Sequence, residues 1–299
     1  MPNIAKSLRL AILLPVTAAA LALVGGATLW LWPRSDGSIQ QEQVCWRILS
    51  ELGTHSSGPI GDCGDALESE MTGNPAGRAA PDDVKKMSER QSEAFEHIVS
   101  AYTEYGKSNP ARIPSEIRHN LANALTYYRS DVYDILGISV DFSAPEYSTT
   151  PNNIEIRSGT MTDFLEGLAE NEAAFRLIRE SIFEHADRQI KSLRGDDFAR
   201  ESKAEAGKPY VDNALGVARQ SGAVTSILRK VRFQALKNQT KDDKSKLDSA
   251  LGGDYMGYGF PRLEQLFRSR AENLHVPETG ESKRRLEEIL STAREGHSG

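Results

Sequence analysis

From Leu10 to Trp32 the chain carries no charged residue. A run of about 23 residues, rising roughly 1.5 Å per residue as a helix, reaches across the hydrocarbon core of a bilayer. Lys6 and Arg9 precede it, and Trp30 and Trp32 close it. Basic residues therefore sit on one flank and aromatic ones at the far interface. The pattern predicts a cytoplasmic tail over residues 1–9 and a single-pass transmembrane anchor over 10–32, with everything beyond on the extracytoplasmic side. A cleaved secretory signal competes with the anchor, because Gly25, Gly26 and Ala27 suit a signal peptidase. A signal's apolar core usually spans only about 7–15 residues, however, and Thr28 to Trp32 prolong the run beyond that point.

After Pro33 the apolar positions recur at helical spacing. Val44, Ile48, Leu49 and Leu52 predict a helix over 38–52, stopped by Gly53. Residues 54–80 show no sustained period and read as a loop with one helical turn around Ala66 and Leu67, so 33–80 forms a membrane-proximal segment. A main helical domain follows over 81–275. Pro81, Asp82 and Asp83 suit the start of a helix carrying Val84, Met87, Phe95, Ile98, Val99 and Tyr102, which Gly106 ends. A second helix runs from near Pro114 through Ile117, Leu121, Leu125, Tyr128, Val132 and Leu136, with Gly137 as a left-handed cap. It pairs with the first across the Asn109-Pro110 turn.

Two short alternating stretches, Ile138 to Phe142 and Ile154 to Arg157, predict a small β-hairpin lying on the helices. Thr160 and Asp163 approximate a capping box before Phe164, Leu165 and Leu168. Asn171 then caps a long helix with Phe175, Ile178, Ile182, Ala186, Ile190 and Leu193 in one stripe, central to the core. A helix over 211–235 shows Val211, Leu215, Ala218, Val224, Leu228 and Val231 on one face. Its interior glycines, Gly216 and Gly222, cost about 1 kcal/mol each against alanine, which implies either a close helix crossing or a bend. Gly252, Gly253, Gly257 and Gly259 break the pattern. Pro261 precedes a short helix with Leu263, Leu266 and Phe267, and 276–299 reads as a charged C-terminal helix and tail. The fold class is mainly α: a transmembrane helix followed by a helical-bundle ectodomain with a small β-hairpin insertion.

Charge sharpens this picture. The net charge is −6, and setting aside Lys6 and Arg9 leaves the exported part more acidic still, which argues against nucleic-acid binding. The two cysteines are Cys45 and Cys63, and outside the cytoplasm they are expected to pair. Closing a loop of about 18 residues adds roughly 3 kcal/mol by chain entropy. With His55 as the one extra candidate between them, the pair is too small a set for zinc.

No sequence signature for catalysis emerges, and the chain is read as a non-enzyme without cofactor or metal. His55, His97, His119, His185, His275 and His297 lack ligand spacing. No nucleophile elbow, phosphate loop or dinucleotide fingerprint occurs. The Gly61 to Asp65 loop lacks the alternating acids and closing glutamate of a calcium loop. The densest basic stretch runs through Arg229, Lys230, Arg232, Lys237, Lys241, Lys244 and Lys246, with Tyr255, Tyr258 and Phe260 close behind. It reads either as a solvated helix end or as an interaction patch for an acidic partner or an anionic lipid surface.

From about Ser92 to Phe267 the order of features resembles a domain-of-unknown-function family of actinobacterial proteins found near WXG-type secretion genes. The resemblance lies in the helix from Tyr127 to Leu136, the stretch Asn153 to Ile156, the segment from Phe164 to Phe175, and more weakly Gly222 to Val224 and Gly252-Gly253. Family members carry a long apolar glycine-rich stretch where this chain has only Gly252 to Leu266. The resemblance implies a helical, export-associated protein and transfers no catalytic residue. The resulting expectation is a membrane-anchored extracytoplasmic protein acting by protein–protein contact at the cell envelope, with an envelope or secretion-system protein as partner. A toxin-like effector acting on membranes and an envelope hydrolase built from scattered carboxylates are the alternatives.

Overall fold

The computed structural model describes residues 37–82, 86–108, 113–137, 151–199, 212–240 and 243–298. The architecture is mainly helical. No helix among the described residues is long and apolar enough to cross a membrane. The run over 10–32, and with it the anchor, lies outside them.

The first helix, α1 (Gly37–Glu51), matches the expected span and ends where Gly53 adopts a left-handed φ of +87°. The expected loop after it is instead largely a second helix, α2 (Ile60–Thr72), which buries Cys63, Leu67 and Met71. These three recur every four residues, a period hidden while Cys63 counts only as a thiol. Cys45 and Cys63 are disulfide-bonded, with Cα atoms 6.2 Å apart. The Trp46 indole N–H donates to the Gly58 carbonyl at 2.9 Å, holding the connection between α1 and α2.

The next helix, α3 (Glu89–Ser108), starts well after Pro81. Its start is set by Ser88 and Gln91, which form a reciprocal capping box: the Gln91 N–H donates to Ser88 Oγ, and the Ser88 N–H donates to Gln91 Oε1 at 2.8 Å. Pro81 and Asp82 instead offer their carbonyls to the Arg129 guanidinium. The single helix expected over 114–136 is two, α4 (Arg118–Tyr127) and α5 (Arg129–Gly137). The break falls at Tyr128, whose hydroxyl lies between the carbonyls of Met71 and Gln91 and whose ring stacks on Phe95 at 4.1 Å. Gly137 is not a left-handed cap. A Cβ there would fall 2.5 Å from the Gln220 side chain, so the glycine makes room for that residue.

The β-hairpin is corrected too. No strand occurs among the described residues, and Ile138 to Phe142 lies outside them. Ile154 to Arg157 is irregular chain; Ile154 and Ile156 are buried in the core, and the Glu155 N–H donates to the Glu96 carboxylate rather than to a partner strand. Alternating burial against helices thus imitates a strand pattern. Helix α6 (Ser158–Ala169) begins before Thr160, so Thr160 and Asp163 are interior residues rather than a cap. Asn171 does cap α7 (Glu172–Ser192), its side chain accepting from the Ala174 N–H at 3.0 Å.

After a 3-10 turn over Gly195–Phe198 come α8 (Asn213–Thr240), α9 (Lys244–Tyr258), α10 (Phe260–Asn273, with Pro261 in its first turn) and α11 (Gly280–Ser298). Of the glycines expected to break the pattern, Gly252, Gly253 and Gly257 lie inside α9, and Gly259 separates it from α10. The larger apolar cluster gathers residues from α1 through α8, and a second joins Phe183 and Ile190 of α7 to α8, α10 and α11. The terminal helix is therefore core: Ile289, Leu290 and Ala293 are buried. Gly222 of α8 and Gly296 of α11 permit the crossing of these two helices. An added Cβ would fall 2.1 Å from the Ala293 carbonyl oxygen in one case and 2.6 Å from the Arg219 carbonyl oxygen in the other. Gly216, by contrast, faces open space.

Candidate functional site

Helix α9 is an unusual element, for none of its residues is buried. Gly252, Gly253 and Gly257 have open space around them and make no packing contact that a side chain would spoil. Each lowers helix stability by about 1 kcal/mol relative to alanine. What holds α9 to α7 and α8 is polar and aromatic. Asp254 receives Arg179 on one carboxylate oxygen and Arg232 Nε on the other, the latter at 3.3 Å. Arg232 also donates to the Ala169 carbonyl at 3.1 Å and pairs with Glu172. The Arg179 guanidinium lies 3.6 Å from the centre of the Tyr258 ring, and both arginines lie 5.4 Å from that of Phe175.

Both arginine side chains are only 7% exposed. Buried charge of this kind holds only when paired, and removing one partner costs about 3–5 kcal/mol. Arg232 and Tyr258, which the sequence places in a surface patch, thus turn inward to line a narrow recess of about 20 Å³ with Phe175, Arg179, Asp254 and Tyr255.

A second, more open recess of about 400 Å³ lies beside it, lined by Arg229, Tyr255, Phe260, Arg294, His297 and Ser298. The Arg229 guanidinium stands 5.8 Å from the Tyr255 ring centre, and that of Arg294 stands 4.7 Å from Phe260. No acidic side chain lines this recess. Arg118, Arg268 and Arg285 hold carboxylates elsewhere, whereas neither Arg229 nor Arg294 has an acidic partner among the described residues. His297 forms the inner wall, its Nδ1 3.1 Å from Thr225 Oγ1 and its Nε2 buried without a partner. Burial, reinforced by the nearby Arg229 charge, lowers the His297 pKa below the usual histidine value.

The expected patch is thus divided. Arg229, Tyr255 and Phe260 meet at the outer recess, with Phe260 itself buried as its floor. Arg232 and Tyr258 belong to the inner one. Lys230 and Lys237 are exposed on α8 outside both recesses, and Lys241 lies outside the described residues. Asp254 joins the site from beside Tyr255, within the expected stretch, whereas Arg179, Arg294 and His297 come from distant positions that a linear reading passes over; the three-residue step from Arg294 to His297 on α11 is the one local signal among them.

Phe233 and Tyr255, each 37% exposed, and Met256, at 66%, are the large apolar side chains left exposed among the described residues. All three lie on α8 and α9, and Phe233 follows Arg229 by four residues on the same helix face. Neither recess brings two carboxylates together, and no cluster of three metal-ligating side chains occurs among the described residues. Comparison with protein-family models, curated proteins and solved structures finds no match.

Proposed function

We propose that the chain is a membrane-anchored, extracytoplasmic binding protein that acts by protein contact at the cell envelope through the face formed by α8 and α9. One observation carries the choice of face: the exposed large apolar side chains among the described residues, Phe233, Tyr255 and Met256, all lie on these two helices, with Tyr255 beside Arg229. Apolar side chains grouped at a polar rim are characteristic of interaction sites. The uncharged run over 10–32 supports the anchor, and the Cys45–Cys63 bond supports an oxidising compartment. The resemblance of residues 92–267 to secretion-associated proteins makes a secretion-system component the first partner to seek.

Photo-crosslinking residues introduced at Phe233 and Met256 in intact cells, followed by mass spectrometry, test the face. The expected result is one envelope protein captured from both positions and not from a control position such as Glu264, on α10. Protease added to protoplasts tests the address, and survival of the region after Pro33 refutes it. The same apolar and cationic composition suits an anionic bilayer. Leakage of anionic liposomes by the full chain, abolished by Met256→Ser, favours the membrane-acting effector instead.

A further inference from the structure

We infer that the outer recess binds an acidic peptide segment of the partner, with its carboxylates on Arg229 and Arg294 and its apolar side chains on Phe233, Tyr255 and Met256. This rests on the reading of the chain as a binding protein and adds the chemistry of what is bound. The first argument is charge. In a chain of net charge −6, two guanidinium groups converge on a recess with no acid in its lining. Each is steadied against an aromatic ring, Tyr255 or Phe260, a placement that leaves the planar N–H fork free for a carboxylate.

The second argument is the hydrogen-bond inventory of His297. Thr225 Oγ1 lies 3.0 and 2.8 Å from the carbonyl oxygens of Ser221 and Gly222, so its proton is directed to them and its oxygen accepts from His297 Nδ1. In the neutral ring this leaves Nε2 as a bare acceptor, buried and without a donor. A peptide N–H is such a donor. The Tyr255 ring stands 5.8 Å from the His297 ring. Because Tyr255 rides on a helix with no buried residue, it is the side chain that yields to an entering backbone. The third argument is apolar: Phe233 lies one turn from Arg229 on α8 and Met256 follows Tyr255 on α9, so a peptide extending beyond the recess covers exposed apolar surface that an inorganic anion leaves in water.

Titrating the purified full chain with a fluorescein-labelled peptide of alternating glutamate and leucine tests the proposal. A matched peptide with glutamine for glutamate and inorganic phosphate serve as comparisons. The glutamate peptide should bind about tenfold or more tightly than the glutamine peptide, the scale of one or two charge-assisted hydrogen bonds. Arg229→Ala and Arg294→Ala should each remove most of that preference, and Met256→Ser should weaken both peptides alike. Both arginines are exposed, so their truncation leaves the fold intact, which melting curves verify. Equal binding of the two peptides, an undiminished preference in the double arginine variant, or displacement by an equal concentration of inorganic phosphate overturns the inference. If the acidic preference is absent while cross-links at Phe233 and Met256 still capture a partner, the ligand chemistry fails and the binding-protein reading stands. If the preference is present and the cross-links fail, it is the envelope reading that falls.

Discussion

Alanine at Gly222 probes the contact that positions one wall of the outer recess. An added Cβ falls 2.1 Å from the Ala293 carbonyl oxygen and 3.0 Å from both the Ala293 carbonyl carbon and the His297 backbone nitrogen. Ordinary carbon contacts are about 3.5–4.0 Å. The obstructing atoms are helix backbone, so no rotamer change relieves them and α11 must shift as a body by about 1 Å. Such overpacking typically costs about 1–3 kcal/mol, and this clash belongs at the upper end because Ile289, Leu290 and Ala293 move out of register with it. Against that stands the gain of about 1 kcal/mol from replacing an interior helical glycine. The net expectation is a loss of about 2 kcal/mol.

Gly216 supplies the control on the same helix. It has open space around it, so Gly216→Ala should gain about 0.5–1 kcal/mol from propensity alone. Urea denaturation of the two variants beside the parent chain reads both effects, with midpoints moving in opposite directions at unchanged slope. Gly296→Ala, whose Cβ meets the Arg219 carbonyl oxygen at 2.6 Å, should destabilise less than additively when combined with Gly222→Ala, since both open one crossing. Two stabilising shifts, at 216 and at 222 alike, refute the close-crossing argument.

Three further outcomes follow from the structure. Reduction of the Cys45–Cys63 bond, or its replacement by alanines, should lower unfolding stability by about 3 kcal/mol for a closed loop of this size; an unchanged urea midpoint under reducing conditions contradicts it. Asp254→Ala leaves Arg179 and Arg232 without their shared carboxylate. Amide exchange across 244–258 should then accelerate well beyond that of α10, and equal protection in parent and variant means that other contacts hold α9. Two partly buried groups make opposing contributions to acid stability. Burial raises the Asp134 pKa to about 6, partly offset by the amide N–H that Gln220 donates, so the fold favours the neutral acid and loses stability as pH rises from about 4 to 6. Burial lowers the His185 pKa to about 4, so its contribution is complete above about 6.5 and is lost as pH falls towards 4. Asp134→Asn should therefore steepen the loss of stability on acidification and His185→Gln should flatten it, each on the order of 2 kcal/mol between pH 7 and 4 in urea titrations.

Local signals explain which elements could be read from the chain. The Asn171 cap and the apolar stripe behind it lie within one helix, as do Pro261 and the helix it opens, and both hold in the structure. The start of α3 was equally local, in Ser88 and Gln91, but the proline and acids at 81–83 are a louder version of the same signal. Other elements answer to distant partners. Glycine content argues against α9, which is held by Asp254 reaching Arg179, 75 positions away. The break at Tyr128 follows from carbonyls on α2 and α3. Ile154 and Ile156 alternate because helices cover them, with no neighbouring strand required.

The amino-acid sequence alone determined the helical class, the pairing of Cys45 with Cys63, and the concentration of basic and aromatic residues between Arg229 and Phe260. These depend on composition and short-range periodicity, which the chain carries whatever its tertiary arrangement. Only the tertiary structure decided how that stretch divides. It buried Arg232 against Asp254 and stacked Tyr258 on Arg179, left Arg229 outside, and joined it to Arg294 and His297 across the Gly222–Gly296 crossing. Whether an arginine ends paired and buried or unpaired and exposed depends on which carboxylates the packed helices bring within reach, and spacing along one helix does not encode that.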